Sequence, residues 1–174
     1  MSLLSLNNDD NTPGIPKQMI QISHTKEDDL LQVLLDAAQK TVSEVCQVAF
    51  VESGESTTFT EDLDGGKLNL WPANLPIASI TSIYDIDGED YVDTSDYTHN
   101  GVRIFDPDEA VWGSGLERYR VVYVAGYTAS TLPAQYKTLI LKVFSHMYHN
   151  RDAALPDSLM SSMQLHALGQ RGIG

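Results

Sequence analysis

Between Ser56 and Val124 the hydrophobic period of the chain changes, and this change most limits what it can fold into. Before it, Leu30, Leu31, Leu34, Leu35, Ala38, Val42, Val45, Cys46 and Ala49 recur at spacings of three and four, the repeat of an amphipathic helix. Within it, short β-rich runs are broken by turn residues, which predicts antiparallel strands over Thr57 to Glu61, Lys67 to Leu70, Ile77 to Ile86, Tyr97 to Thr98, Val102 to Phe105 and Arg118 to Val124. Asp64-Gly65-Gly66, Asp87-Gly88, Asn100-Gly101 and Asp106-Pro107-Asp108 supply the reversals, since Gly and Asn tolerate positive φ. In the last run Tyr119, Val121 and Tyr123 alternate onto one face and Val122 and Val124 onto the other, so that strand is expected to be central.

Helical spacing returns after the strands. Thr131 and Pro133 suit a helix start, and Tyr136, Leu139, Ile140, Val143, Phe144, Met147 and Tyr148 form its buried stripe. Pro156 and Asp157 open a shorter helix carrying Leu159, Met160, Met163, Ala167 and Leu168, which Gly169 can end. The first helix has a capping-box-like start at Thr25 and Asp28, runs about six turns, and has Gly54 beyond its end. Residues 1–22 mix Asn, Asp, Pro and Gly without periodicity and are expected to form a flexible arm unless a partner orders them. The fold class that follows is α+β: a small helical bundle with an inserted antiparallel β-rich module, most economically one domain. There is no internal repeat and no low-complexity tract.

A chain of 174 residues buries about 70% of its unfolded surface, enough for a core without staples. No apolar run reaches the ~18 to 20 residues of a bilayer span, so no membrane partner is expected. The first residues lack a basic start and an extended apolar stretch, so no secretory signal is expected and a reducing cytoplasm is the default compartment. Eleven basic against twenty-four acidic residues give a net charge of −13, which argues against tight or sequence-specific binding to phosphate backbones. The charge is uneven. Residues 1–50 hold seven acids and three bases, residues 51–100 eleven and one, and residues 101–174 six and seven.

Several constellations invite chemistry and are weak. Asp85-Ile86-Asp87-Gly88-Glu89-Asp90 clusters oxygens as calcium sites do, but the glycine follows the first Asp by three residues and no closing Glu stands at loop spacing, so a hairpin turn is expected. His146 and His149 share a helix face without a third ligand, and His24, His99 and His166 show no ligand spacing. The lone Cys46 has no disulfide partner and reads as core. No G-x-S-x-G, H-E-x-x-H, P-loop or G-x-G-x-x-G motif occurs. Neither a catalytic residue nor a cofactor or metal site is expected.

One ordered set of signatures points to a family. Leu68-Asn69-Leu70-Trp71-Pro72 is followed by Leu75-Pro76-Ile77-Ala78-Ser79-Ile80-Thr81-Ser82-Ile83, then Asp96-Tyr97-Thr98, then Val121-Val122-Tyr123-Val124-Ala125-Gly126-Tyr127, Leu132-Pro133, and a long helix ending His149-Asn150-Arg151. From about residue 25 to 152 this order resembles the head-tail connector, or head-completion adaptor, proteins beneath the portal ring of tailed bacteriophages. Each motif alone is common; their order and spacing carry the likeness.

The resemblance implies a non-enzymatic subunit of a homo-oligomeric ring, commonly twelvefold, that docks on the portal protein, meets a downstream neck or stopper protein, and lets DNA pass without reading its sequence. It implies assembly in the bacterial host cytoplasm and residence in the virion neck, with residues 23–152 as the connector domain, 56–124 as its β-rich insert, 132–150 as its long helix, and 153–174 as a C-terminal helix and tail. In such a channel Asp85, Asp87, Glu89, Asp90, Asp93 and Asp96 are candidate DNA-facing acids, the other reading being a solvated surface. Tyr123, Gly126, Tyr127 and Pro133 are a candidate structural corner, whose tyrosines either clamp it by packing or offer hydroxyls to a neighbouring subunit. Met160 and Met163, with the arm, are candidate partner contacts, the other reading being core. The rival functions are another neck or tail-completion protein, such as a stopper or tail terminator, and, from a different class, a small metal-binding hydrolase or carbohydrate-binding module.

Overall fold

A computed structural model describes residues 3–8, 13–51, 58–108 and 110–171. Gly54, Thr57, residues 9–12 of the expected arm and residues 172–174 of the expected tail lie outside the described residues. The chain is an α+β protein. It divides into a helical unit, Met1–Glu55 with Tyr127–Gly174, and a β-rich unit, Ser56–Gly126.

The helical unit contains α1 (Ile15–Met19), α2 (Asp28–Cys46), α3 (Ala134–His149) and α4 (Asp157–Arg171). α2 packs on α3 and α4, and α1 packs on α3. Most of the stripe read from spacing is buried: Leu31, Leu35, Ala38 and Val42 of α2 meet Tyr136, Ile140, Val143 and Phe144 of α3, all fully enclosed, while Leu30, read into the same repeat, is exposed because it lies a residue round the helix from Leu31 toward solvent. Each such side chain contributes about 1.5–3 kcal/mol by leaving water. α2 stops at Gln47, which turns left-handed (φ 55°) with its N–H on the Ser43 carbonyl. The Thr25 capping box does not form: Glu27 stands at the N-cap without a side-chain cap bond, and the Thr25 carbonyl accepts the Asp28 N–H instead. α4 runs through Gly169 to Arg171, so that glycine does not end it.

The expected free arm is a second correction. Leu3, Leu6 and Ile20 are each about 5–6% exposed and belong to the same core as α2 and α3. The Leu3 N–H donates to the Gln39 side chain of α2, and Gly14 N–H to the Leu6 carbonyl. These apolar side chains are anchors spread over a segment too short and irregular to show a period, which is why its composition resembles that of a mobile arm.

The β-rich unit holds β1 (Thr58–Leu63), β2 (Asn69–Leu70), β3 (Ile77–Asp85), β4 (Asp90–Val92), β5 (Thr98–His99), β6 (Ile104–Phe105) and β7 (Tyr119–Ala125). β1, β7, β3 and β4 form one antiparallel sheet in that order, and β2, β6 and β5 another. β7 is central, as its two-sided alternation requires, and its Tyr119, Val121, Tyr123 and Ala125 face a core with Ile77, Ile83, Leu70 and Trp112. Trp112 stacks on Tyr97 at 4.3 Å between ring centroids and meets Tyr119 edge-on at 4.9 Å. The unexpected strand is β4, whose three residues pair with the end of β3 across the Asp87-Gly88 turn.

Candidate functional site

The six candidate acids occupy the β3–β4 hairpin and the short 3-10 turn Thr94–Asp96 that follows. They are not equivalent. Arg118 grips Asp85 with two parallel bonds, Nε to Oδ1 at 3.0 Å and Nη2 to Oδ2 at 2.7 Å, while the Gly88 N–H donates to Oδ1. The guanidinium, and then these backbone bonds, hold the Asp85 carboxyl below its ordinary range against the opposing effect of burial. Asp93 caps the 3-10 turn by accepting from the Ser95 N–H and hydroxyl, which lowers its pKa. Both are therefore structural. Asp87 is 3.9 Å from Arg118 with 58% of its side chain exposed, and Glu89, Asp90 and Asp96 are exposed. These four residues lie at the exposed surface, with Asp90 also accepting the Tyr91 N–H at 2.8 Å.

The four corner residues fall on two sets of contacts. Gly126 has φ +98°, an angle that favours glycine, and its N–H donates to the Pro76 carbonyl at 2.9 Å. Tyr123 is fully buried, and its hydroxyl donates to the Glu61 carboxylate while accepting from Asn74. Burial, reinforced by Glu61, pushes its pKa up. Glu61 also accepts from the Ala73 N–H and the Asn74 amide, so one carboxylate ties β1, β7 and the Trp71–Leu75 loop together. In the helical unit, Tyr127 bridges to Phe50 in a parallel arrangement, and its ring lies 5.6 Å from Tyr136. Desolvation raises the Tyr127 hydroxyl and pushes Tyr136 up to about 12. Pro133 is the N-cap of α3 at φ −61°, and its carbonyl accepts from Tyr136 and Lys137. The Tyr123 ring is packed and its hydroxyl is bonded within its own unit.

Met163 is wholly buried and its carbonyl accepts the Cys46 thiol at 3.5 Å, so within this fold it is core and not a contact surface. Met160 is half-buried against the same core. Burial alone pushes the Cys46 thiol up to about 11, which keeps it protonated and inert.

Two features escaped the sequence reading. Lys17 of α1 is 1% exposed and pairs with Asp28 at 2.6 Å and with the Asn7 side chain at 2.8 Å, joining the N-terminal segment to the start of α2. Its signal is no more than one lysine in a short Pro-led turn. In the β-rich unit a depression of about 330 Å³ is lined by Asp62, Asp64, Lys67, Trp71 and Glu117, among others. Asp62 is held by Arg120 through two 2.8 Å bonds, and Asp64 accepts the Glu117 N–H, so these acids are engaged in cross-strand and loop structure. Among the described residues no three His, Cys, Asp or Glu side chains converge as metal ligands.

No protein-family model and no curated protein matches the chain. Solved structures do. A chain in the neck of the empty gene transfer agent particle, computed with C6 symmetry, superposes with a TM-score of 0.61 at 14% identity over 86% of both chains. One in the neck of the native particle, computed with C12 symmetry, gives 0.57 at 18% identity over 86% of this chain and 88% of that one. A chain of the native gene transfer agent virion gives 0.57 at 18%, over 86% and 85%. Across most of its length, then, this chain has the fold of a chain found in the necks of gene transfer agent particles.

Proposed function

We propose that the chain is a structural subunit of the neck of a tailed phage, prophage or phage-like particle: a head-tail connector that forms a ring under the portal and extends the DNA channel. The observation that carries this is the near full-length fold likeness to chains from particle necks computed with sixfold and twelvefold symmetry. The ordered motifs from Leu68 to Arg151, which resemble those of connector proteins, agree with it. Residues 23–152 are the connector domain in this proposal, a dodecamer is the ring that suits it, and the portal protein and a downstream stopper are its neighbours. The protein works without catalysis, assembles in the host cytoplasm and resides in the virion neck. The solvent-facing Asp87, Glu89, Asp90 and Asp96 line the path of DNA, where negative charge keeps the polyanion from sticking.

Removing the gene and imaging the particles tests this. The expected result is DNA-filled heads without tails, restored by a tagged copy whose label appears between head and tail, together with capture of the portal protein by the purified chain. A label on the tail tip or capsid surface, or normal particles without the gene, would overturn it. Capture of a downstream neck ring but not the portal would assign it to the stopper position instead.

A further inference from the structure

The outer faces of α2 and α3 are uncovered and opposite in charge. On α2, Asp29, Leu30, Val33, Asp36, Lys40 and Glu44 are all exposed, Val33 at 65% and Leu30 at 39%. Their spacing places them on one stripe, across the helix from the buried Leu31, Leu35, Ala38 and Val42. Lys40 lies 3.9 Å from Glu44, and no cation pairs with Asp29 or Asp36 among the described residues. The stripe is thus acidic with an apolar centre. α3 contains no acidic residue. Its outer stripe runs through Ala134, Thr138, Lys142 and His149, with half-exposed Lys137 at its margin and exposed Arg151 just beyond its end. None of Lys137, Lys142 and Arg151 has a carboxylate within 4.0 Å among the described residues. A basic stripe on a chain of net charge −13 is a local exception.

We propose that α2 of one copy docks on α3 of the next, acidic and apolar stripe against basic stripe, as the head-to-tail contact that closes the ring. This names the self-contact of the ring proposed above and rests on that reading. A contact between two different faces of one chain is heterologous, and only such a contact builds a ring larger than a pair. A twofold pair through α2 would instead set Asp29 and Asp36 of one copy against the same acids of the other. Opposed charges fix register and speed encounter, while Val33 and Leu30 supply the apolar area at the centre.

The test uses the full chain with one cysteine added at the middle of either stripe; native Cys46, 1% exposed, does not compete for the reagent. Val33→Cys and Thr138→Cys are purified apart, mixed, and treated with a short bismaleimide. A cross-linked dimer is expected from the mixture and not from either protein alone. In parallel, Asp29→Lys with Asp36→Lys, or Lys137→Glu with Lys142→Glu, should raise the concentration needed for assembly about tenfold or more, and mixing the two reversed proteins should restore it. Restoration by mixing is an outcome that mere damage to folding does not give. No cross-link in the mixture at any concentration, self-cross-linking of Val33→Cys alone, or assembly indifferent to reversal would overturn the contact. If the label sits in the neck but these results fail, the contact alone falls; if they succeed while the label is absent from the neck, the neck function falls and the contact stands.

Discussion

Lys17 illustrates how a single residue can decide the fate of a segment. An ammonium group 1% exposed is tolerated only because Asp28 and Asn7 surround it, and hydrogen bonding from Lys17 in turn holds the Asp28 carboxyl below its usual range. Removing one partner is therefore worse than removing the pair. Asp28→Ala should cost about 3–5 kcal/mol, leaving an unpaired buried cation, whereas Lys17→Met combined with Asp28→Leu should be close to neutral; urea unfolding of the single and the double variant measures the difference. Asp28, Asp62 and Asp85 also set a pH dependence. Each has its folded pKa depressed below the ordinary 3.8 by a cationic partner, so each adds stability above that value that is lost as pH falls through the lower, folded one. Thermal melts in acid should show the wild type losing stability below about pH 4. Asp85→Asn should be less stable at neutral pH and lose less on acidification, and an unchanged acid slope would refute the role given to Arg118.

At the scale of elements, the N-terminal segment and α4 depart most from local expectation. α1 has five residues, below the length at which an isolated helix persists in water, so its stability comes from what it touches. With Leu3 and Leu6 enclosed in the helical core, Leu3→Ala and Leu6→Ala should each destabilise by about 2–5 kcal/mol, as core truncations do. Denaturant midpoints indistinguishable from the wild type would mean the segment is free after all. α2, α3 and β7, by contrast, carry their own signals: broad stripes at helical spacing, and strict alternation on a strand paired along both edges. α4 passes Gly169 because a helical glycine costs only about 1 kcal/mol, which the packing of Met163 and Leu159 on α2's side of the core offsets.

For the whole molecule the distribution of charge matters more than its sum. The proposed DNA path depends on the four solvent-facing acids, whereas Asp85 and Asp93 maintain the hairpin and the 3-10 turn. Replacing Asp87, Glu89, Asp90 and Asp96 together by Asn or Ser should slow or stall DNA ejection while ring assembly and melting temperature hold. A fluorescent DNA-release assay on assembled particles reads this directly, and ejection at the wild-type rate would remove those acids from the path. Asp85→Ser, in contrast, should lower the melting temperature of the isolated chain.

The fold class, the central place of β7 and most of the buried stripes of α2 and α3 were legible in the residues themselves, whereas α1 and β4 were not, because periodicity is a property of neighbours along the chain and these two elements are too short to show one. Tertiary structure alone decided that Leu3 and Leu6 dock, that Lys17 is buried, that Tyr123 gives its hydroxyl to Glu61, and that Arg118 grips Asp85. Those outcomes turn on partners such as Glu61 and Tyr123, 62 residues apart, or Asp85 and Arg118, 33 apart. Burial and ion pairing depend on distance in space, and a sequence shows that distance only where local spacing fixes it.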